Sequence, residues 1–159
     1  MKSKIILEIL NKEKTKQISE KLEQQFGIKE LRGLLVKKGK ERVFLFQGKF
    51  TEKEIKDLEK ITPIERAGVY IGKYIPGEDA FRLSIEGTQV FKNQINKNIF
   101  ELNEEQAGKW MSGQELNLKP EKKGFVVMKY KDNFLGCGKA SEEKITNFIP
   151  KNRRLKINN

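Results

Sequence analysis

The chain has 159 residues, of which 36% are hydrophobic, so it has too much apolar content for a disordered chain and enough for one or two small domains. With no histidine and a single cysteine, Cys137, it lacks the commonest general base and cannot build a disulfide framework, a zinc site or an iron–sulfur site. Its 33 Lys and Arg outnumber its 22 Asp and Glu by 11, and an isoelectric point near 9.6 favours a polyanionic partner such as nucleic acid.

The positive charge is unevenly distributed along the chain. Residues 1–74 carry 18 basic and 11 acidic side chains, a net charge of +7. Residues 75–118 carry 4 and 7, a net charge of −3, and residues 119–159 carry 11 and 4, a net charge of +7. This segregation favours binding to a polyanion over the alternative, a lysine-rich surface that serves only solubility or heat resistance.

The first 75 residues are predicted to form one α+β domain. The predicted elements are a strand over 5–10, a helix from Asn11 to Gly27, a hairpin of 31–36 with 43–47, a helix from Thr51 to Pro63 and a strand over 67–75. Asn11 is expected to cap the first helix, and the sequence TEKE at 51–54 is a capping box for the second. The order is therefore β-α-β-β-α-β.

The sequence PGED at 76–79 is predicted to be a linker to a second domain over 78–159. There we expect a strand over 81–84, a helix over 86–91, a strand over 98–102, a helix opened by the capping pattern NEEQ at 103–106, a loop over 114–123 and strands over 125–130, 134–138 and 145–149. Apolar residues alternate onto both faces of 125–130, so both faces should be covered. Gly136 and Gly138 predict a bulge or a close backbone approach.

The sequence offers little for catalysis. It contains neither the phosphate-loop pattern nor the dinucleotide-binding glycine pattern. Cys137 has no histidine partner and is interpreted as a small buried hydrophobe. We therefore predict a protein that is not an enzyme and that needs no cofactor or metal. No apolar run reaches the ~20 residues of a membrane span, and we predict a cytoplasmic protein without a membrane partner.

Two clusters of cationic residues are the best candidates for binding RNA. Lysine and arginine neutralise phosphates, and arginine also stacks on bases. The candidates are Lys151, Arg153, Arg154 and Lys156 after the last strand, and Lys119, Lys122 and Lys123 in the loop before the first ribbon strand. The alternatives are a solvated basic tail and a solvated loop. The spacing of Trp110 is that of a core residue, and Tyr130 and Phe134 are more easily explained as core residues than as base-stacking platforms.

The same stretch carries a family resemblance. A short helix, a glycine-containing loop, the strand GFVV at 124–127 and the strand FLGCGKA at 134–140 resemble, in this order, a PUA domain. The ending NFIPKNRRL at 147–155 resembles that of archaeal Sun/Fmu-type ribosome-biogenesis proteins and of the RNA-binding domain of Sun/Fmu rRNA cytosine-5 methyltransferases. An α+β unit before the PUA domain, with FRL at 81–83 where the domain begins, resembles the Nip-type large-subunit biogenesis factors.

The resemblance implies an α+β protein in which an N-terminal α+β pre-PUA-like domain is followed by a PUA-like β pseudo-barrel. It implies binding of structured RNA, such as rRNA or pre-rRNA, through the loop after the short helix and the last strand. Gly113 and Gln114 then join the seven cationic residues above as candidate RNA-binding residues. Neither the glycine motif nor the paired cysteines of the methyltransferases occur, so the resemblance does not extend to their activity.

The predicted function is non-catalytic RNA binding in ribosome biogenesis or rRNA modification, with a ribosome-assembly or RNA-modification protein as a further partner. Two alternatives stay open at this point. One is a protein-interaction adaptor with a basic docking surface. The other is an accessory subunit of a separate RNA methyltransferase.

Overall fold

The computed structural model describes residues 7–156. Its elements are β1 (Leu7–Ile9), α1 (Lys12–Phe26), β2 (Leu34–Lys38), β3 (Arg42–Phe46), α2 (Glu52–Ile61), β4 (Val69–Ile75), β5 (Ala80–Leu83), α3 (Ile85–Val90), β6 (Ile99–Glu101), α4 (Glu104–Met111), β7 (Gly124–Tyr130), β8 (Asn133–Ala140), β9 (Ile145–Asn147) and a 3₁₀ turn (Lys151–Arg153). The predicted order of elements is confirmed, although the first two residues of the strand predicted over 5–10 lie outside the described residues.

The helices begin where their capping residues predict. The Asn11 side chain accepts a hydrogen bond from the Lys14 N–H at the start of α1. Both predicted capping boxes, at the starts of α2 and α4, have their two reciprocal hydrogen bonds. These bonds satisfy backbone donors that a helix end leaves without partners. Within residues 7–156, every helix is too short or too polar to cross a membrane.

The strands form two sheets. The first has the order β1-β2-β3-β4-β5 and is antiparallel throughout. The second has the order β6-β7-β8-β9 and is antiparallel except that β6 runs parallel to β7. The predicted α+β class is thus confirmed, with two mostly antiparallel sheets that are compatible with a PUA-like domain.

The predicted linker at 76–79 is wrong. These residues form the turn between β4 and β5, which pair from Ile75 and Ala80 onward. Proline and glycine favour tight turns as readily as they favour linkers, so composition alone does not separate the two. The predicted boundary between residues 75 and 78 therefore falls inside a hairpin, and the two-domain division remains a prediction.

Strand β7 lies between two apolar cores. Its Phe125 and Val127 side chains pack with α1 and β5, whereas Val126 and Met128 pack with α4 and β9. The prediction that both faces of this strand are covered is confirmed. Because the first core draws on both halves of the chain, it fixes β7 and β8 against the N-terminal sheet.

Side-chain hydrogen bonds reinforce that packing. The Gln25 amide on α1 accepts from the Phe81 N–H at 2.7 Å and donates to the Phe81 carbonyl at 3.0 Å. The Gln89 amide on α3 donates to the Phe134 carbonyl at 2.7 Å. The first pair of bonds ties α1 to the first sheet, and the second ties α3, which also contacts β4, to the second sheet.

Candidate nucleic-acid interface

The carboxyl-terminal segment after β9 lies against the end of α4. The Leu155 N–H donates to the Met111 carbonyl at 2.8 Å, and the Arg154 Nε donates to the Ile149 carbonyl at 3.0 Å. Gly113 has φ +93°, and a Cβ added there would lie 2.4 Å from the Arg154 Nε. Only glycine combines this backbone conformation with so close a contact. The structure thus brings Arg154 and Gly113 together.

Asn147, which the sequence analysis did not single out, ties these segments together. Its Nδ2 donates to the Trp110 carbonyl at 2.8 Å and to the Gln114 carbonyl at 3.0 Å. Its Oδ1 accepts from the Ile149 N–H at 2.8 Å. The residue therefore positions Gln114 beside the segment that leads to Arg154. An asparagine in a short strand has no distinctive spacing, so nothing in the sequence marked this role.

Arg153 is exposed, but it also forms an ion pair with Glu86 on α3, which the sequence did not predict. Burial by itself raises the pKa of the Glu86 carboxyl, but the hydrogen bond from Arg153, a backbone hydrogen bond and the nearby guanidinium charges outweigh it and lower the pKa. Lys151 and Lys156 are exposed, and they form no ion pair with any residue in the range 7–156. The basic surface at this end thus contains one neutralised arginine.

The loop lysines lie on a segment anchored to β9. Leu116 and Ile145 exchange two backbone hydrogen bonds, at 3.1 and 2.9 Å. All three lysines are exposed, and Lys123 also pairs with Glu142 at 3.1 Å. Across the described part of the chain, no hydrogen bond or ion pair joins these three lysines to residues 151–156. A single patch that includes both clusters therefore stays a prediction.

The aromatic residues near this surface belong to the core. Trp110 is fully buried and its Nε1 donates to the Leu135 carbonyl at 3.0 Å, as its predicted core role requires. Phe134 is buried, and Tyr130 packs against the second core. A Cβ on Gly138 would lie 2.7 Å from the Trp110 ring, which confirms the predicted close approach.

Cys137 is expected to resist thiol reagents in the folded protein. It is buried, and desolvation raises the pKa of its thiol to about 12. Since the thiolate is the reactive form, labelling by a chromogenic disulfide at pH 8 should proceed only as fast as the protein opens. Because the chain has one cysteine, denatured protein gives the reference for complete reaction. Rapid stoichiometric labelling of folded protein would contradict this prediction.

A cleft of 410 Å³ opens between the two sheets. It is lined by residues from the approach to β4, from β4 and β5, from the start of α3, from β8 and from the segment after β9. Three arginines, Arg66, Arg82 and Arg153, face one carboxylate, Glu86, among its lining residues. Sequence reasoning found only Arg153 of this set, because Arg66 and Arg82 belong to no run of basic residues.

Aromatic side chains accompany those arginines. The Arg82 guanidinium carbon lies over the Phe148 ring, 4.1 Å from its centroid. Tyr70 is half-buried in the wall, and burial raises the pKa of its phenol although the neighbouring Arg82 and Arg42 charges favour the ionised form. Its hydroxyl is therefore neutral at physiological pH and can donate a hydrogen bond.

The described residues, 7–156, contain no group of His, Cys, Asp and Glu side chains that could hold a metal ion. The chemistry of both surfaces is instead that of guanidinium, ammonium and aromatic groups. Such groups bind phosphates and bases by charge, hydrogen bonding and stacking.

Comparison with known proteins identifies one matching domain family and one relative. Residues 97–155 match the family model of the methyltransferase RsmF PUA domain. Over 144 residues the chain is 26% identical to the ribosomal RNA small subunit methyltransferase F of Psychromonas ingrahamii, an alignment that covers 88% of this chain and 29% of that protein. The chain thus spans less than a third of the length of this relative. The predicted resemblance to PUA proteins of the Sun/Fmu type is therefore confirmed.

Proposed function

We propose that the protein is a non-catalytic RNA-binding protein that binds rRNA during ribosome biogenesis or rRNA modification. The observation that carries the proposal is the overlap between the family match and the basic surface. Residues 97–155 contain the α4 helix, the Gly113 loop and the Arg154 segment that packs on it. Because the relative is a methyltransferase of small-subunit rRNA, this RNA is the first to test.

The proposed RNA-binding surface combines the Gly113 loop with the carboxyl-terminal segment. Its residues are Gly113, Gln114, Lys119, Lys122, Lys123, Lys151, Arg153, Arg154 and Lys156. Exposed lysines would neutralise phosphates, and release of their counterions makes the affinity depend on salt. Arg154, held by Ile149 and seated on Gly113, would be ordered before RNA arrives, so less conformational entropy is lost on binding.

The N-terminal sheet would extend this footprint or recruit a protein partner. We propose a pre-PUA-like role for residues 1–75, in the manner of the Nip-type factors, and a cytoplasmic location suited to rRNA. The net charge of +7 over residues 1–74 supports a contribution to RNA binding from this part of the chain.

A second candidate is an accessory module that works with a separate methyltransferase. It is favoured by the similarity of this chain to an rRNA methyltransferase. In that case the chain would bind the enzyme as well as RNA. A purely protein-binding adaptor is the remaining alternative.

Purification from cells with and without nuclease separates these functions. We expect the tagged chain to retain small-subunit rRNA fragments, and we expect proteins that co-purify through RNA to be lost after nuclease treatment. Binding of the purified chain to the recovered RNA should weaken steeply as salt rises. A methyltransferase that stays bound after nuclease would favour the accessory module. Recovery of the same protein partners with and without nuclease, together with no bound RNA, would contradict the proposal.

A further inference from the structure

We infer that the cleft between the two sheets receives one unpaired nucleotide of the bound RNA. The inference rests on the proposed RNA-binding function and adds a second, base-contacting site to it. Three of the lining residues used below, Arg66, Tyr70 and Arg82, precede residue 97 and so lie outside the segment that matches the PUA domain.

The size of the cleft suits a single nucleotide. Its volume of 410 Å³ lies in the range of small-molecule pockets, about 300–1,000 Å³. A cleft of this size cannot admit a stacked duplex, whose bases are covered on both faces. A base that has left the stack can enter it, and sequence-dependent RNA recognition commonly uses such splayed bases.

The charge of the cleft suits a phosphate. Three arginines against one glutamate give its ionisable lining a net charge of +2. Glu86 already pairs with Arg153, whereas Arg66 and Arg82 form no ion pair with any of residues 7–156. Two guanidinium groups without an ion pair thus line the cleft, and a guanidinium can hold a phosphate through two parallel hydrogen bonds.

The remaining lining suits a base. Arg82 lies over Phe148, which in turn packs near the Phe125 ring with centroids 6.3 Å apart. These contacts hold the Arg82 guanidinium in place, and a guanidinium plane is a surface on which RNA bases stack. Tyr70 adds an aromatic ring and a neutral hydroxyl donor, and Leu135 and Ile149 supply apolar wall. An acidic peptide would use the arginines but would leave this aromatic and apolar surface unused.

The test compares two RNA hairpins that differ by one bulged nucleotide. Each is titrated with the full chain, and affinity is measured by fluorescence anisotropy. The wild-type chain should prefer the bulged hairpin by about tenfold, a size typical of one stacked base. Arg66→Gln and Arg82→Gln should abolish this preference while leaving affinity for the paired hairpin close to that of a control variant.

Arg32→Gln is the matched control. It removes one arginine charge at a side chain that is 84% exposed and lies outside the cleft lining. Arg66 is exposed and makes no hydrogen bond within the described residues, so its replacement should leave the fold intact. Equal affinity of the wild type for both hairpins, or a preference that survives both cleft variants, would overturn the inference and leave RNA binding standing. Failure to bind either hairpin would overturn the proposed function as well.

Discussion

Replacing Arg153 and Arg154 together by alanine is expected to weaken RNA binding by about 100-fold at low salt, since a hydrogen bond to a charged group contributes about 1.5–3 kcal/mol. The slope of log affinity against log salt should also fall, by about 1 to 2, because the Arg154 contact is lost and Arg153, which is paired with Glu86, contributes less than a full phosphate contact. Filter binding across a salt series measures both quantities. An unchanged slope would show that these two side chains do not meet the RNA backbone.

Two further variants test whether the loss of affinity depends on the total charge of the protein or on where that charge lies. Lys56→Ala with Lys60→Ala removes the same charge from α2, which contributes no residue to either surface, and should change affinity much less. Glu86→Gln should instead strengthen binding, because Arg153 then loses its acidic partner and its full charge faces the RNA. Weaker binding by Glu86→Gln would mean that the ion pair shapes the surface, and Arg153 would then be a positioning residue.

Trp110→Ala is expected to lower the free energy of unfolding by about 3–5 kcal/mol, the usual cost of removing a large buried aromatic side chain. The ring is fully buried, packs against Gly138 and donates its Nε1 hydrogen bond to Leu135. The backbone carbonyl of the same residue accepts from Asn147, so the loss should also loosen the Gly113 loop. Urea unfolding followed by circular dichroism measures the change, since the variant has no tryptophan for fluorescence.

Ile61→Ala on α2 is the control for that experiment. Its side chain is 82% exposed, and substitutions at such positions usually change stability by less than about 0.5 kcal/mol. If Trp110→Ala destabilised the protein no more than Ile61→Ala, the described packing of α4 on β8 and β9 would be incorrect. Loss of RNA affinity in Trp110→Ala at temperatures where it stays folded would further support the loop as part of the interface.

Local elements were predictable because the interactions that define them lie within a few residues. Asn11, Thr51 and Asn103 mark helix starts through side-chain bonds to backbone groups three residues onward. The double-sided apolar pattern of β7 indicated burial on both faces, and the structure confirms it. The turn at 76–79 was misjudged because proline and glycine favour tight turns as readily as they favour linkers.

The candidate sites were predictable only where charge was clustered in sequence. The run after Pro150 was found in this way, yet the pairing of Arg153 with Glu86 was not, since 67 residues separate the two. Arg66 and Arg82 were missed because each stands alone among uncharged or acidic neighbours. The hydrogen bonds of Asn147 to Trp110 and Gln114 were missed because a single asparagine in a short strand has no distinctive spacing.

Charge, composition and short-range pattern by themselves determined the α+β class, the helix caps, the absence of histidine chemistry and the basic carboxyl-terminal segment. The tertiary structure alone decided which cation is neutralised, which glycine Arg154 covers and how two sheets enclose a cleft with three arginines. The physical reason is the distance along the chain between the residues that interact. Hydrogen bonds of caps and turns join near neighbours, whereas the ion pair and the cleft arise only when core packing brings distant segments together.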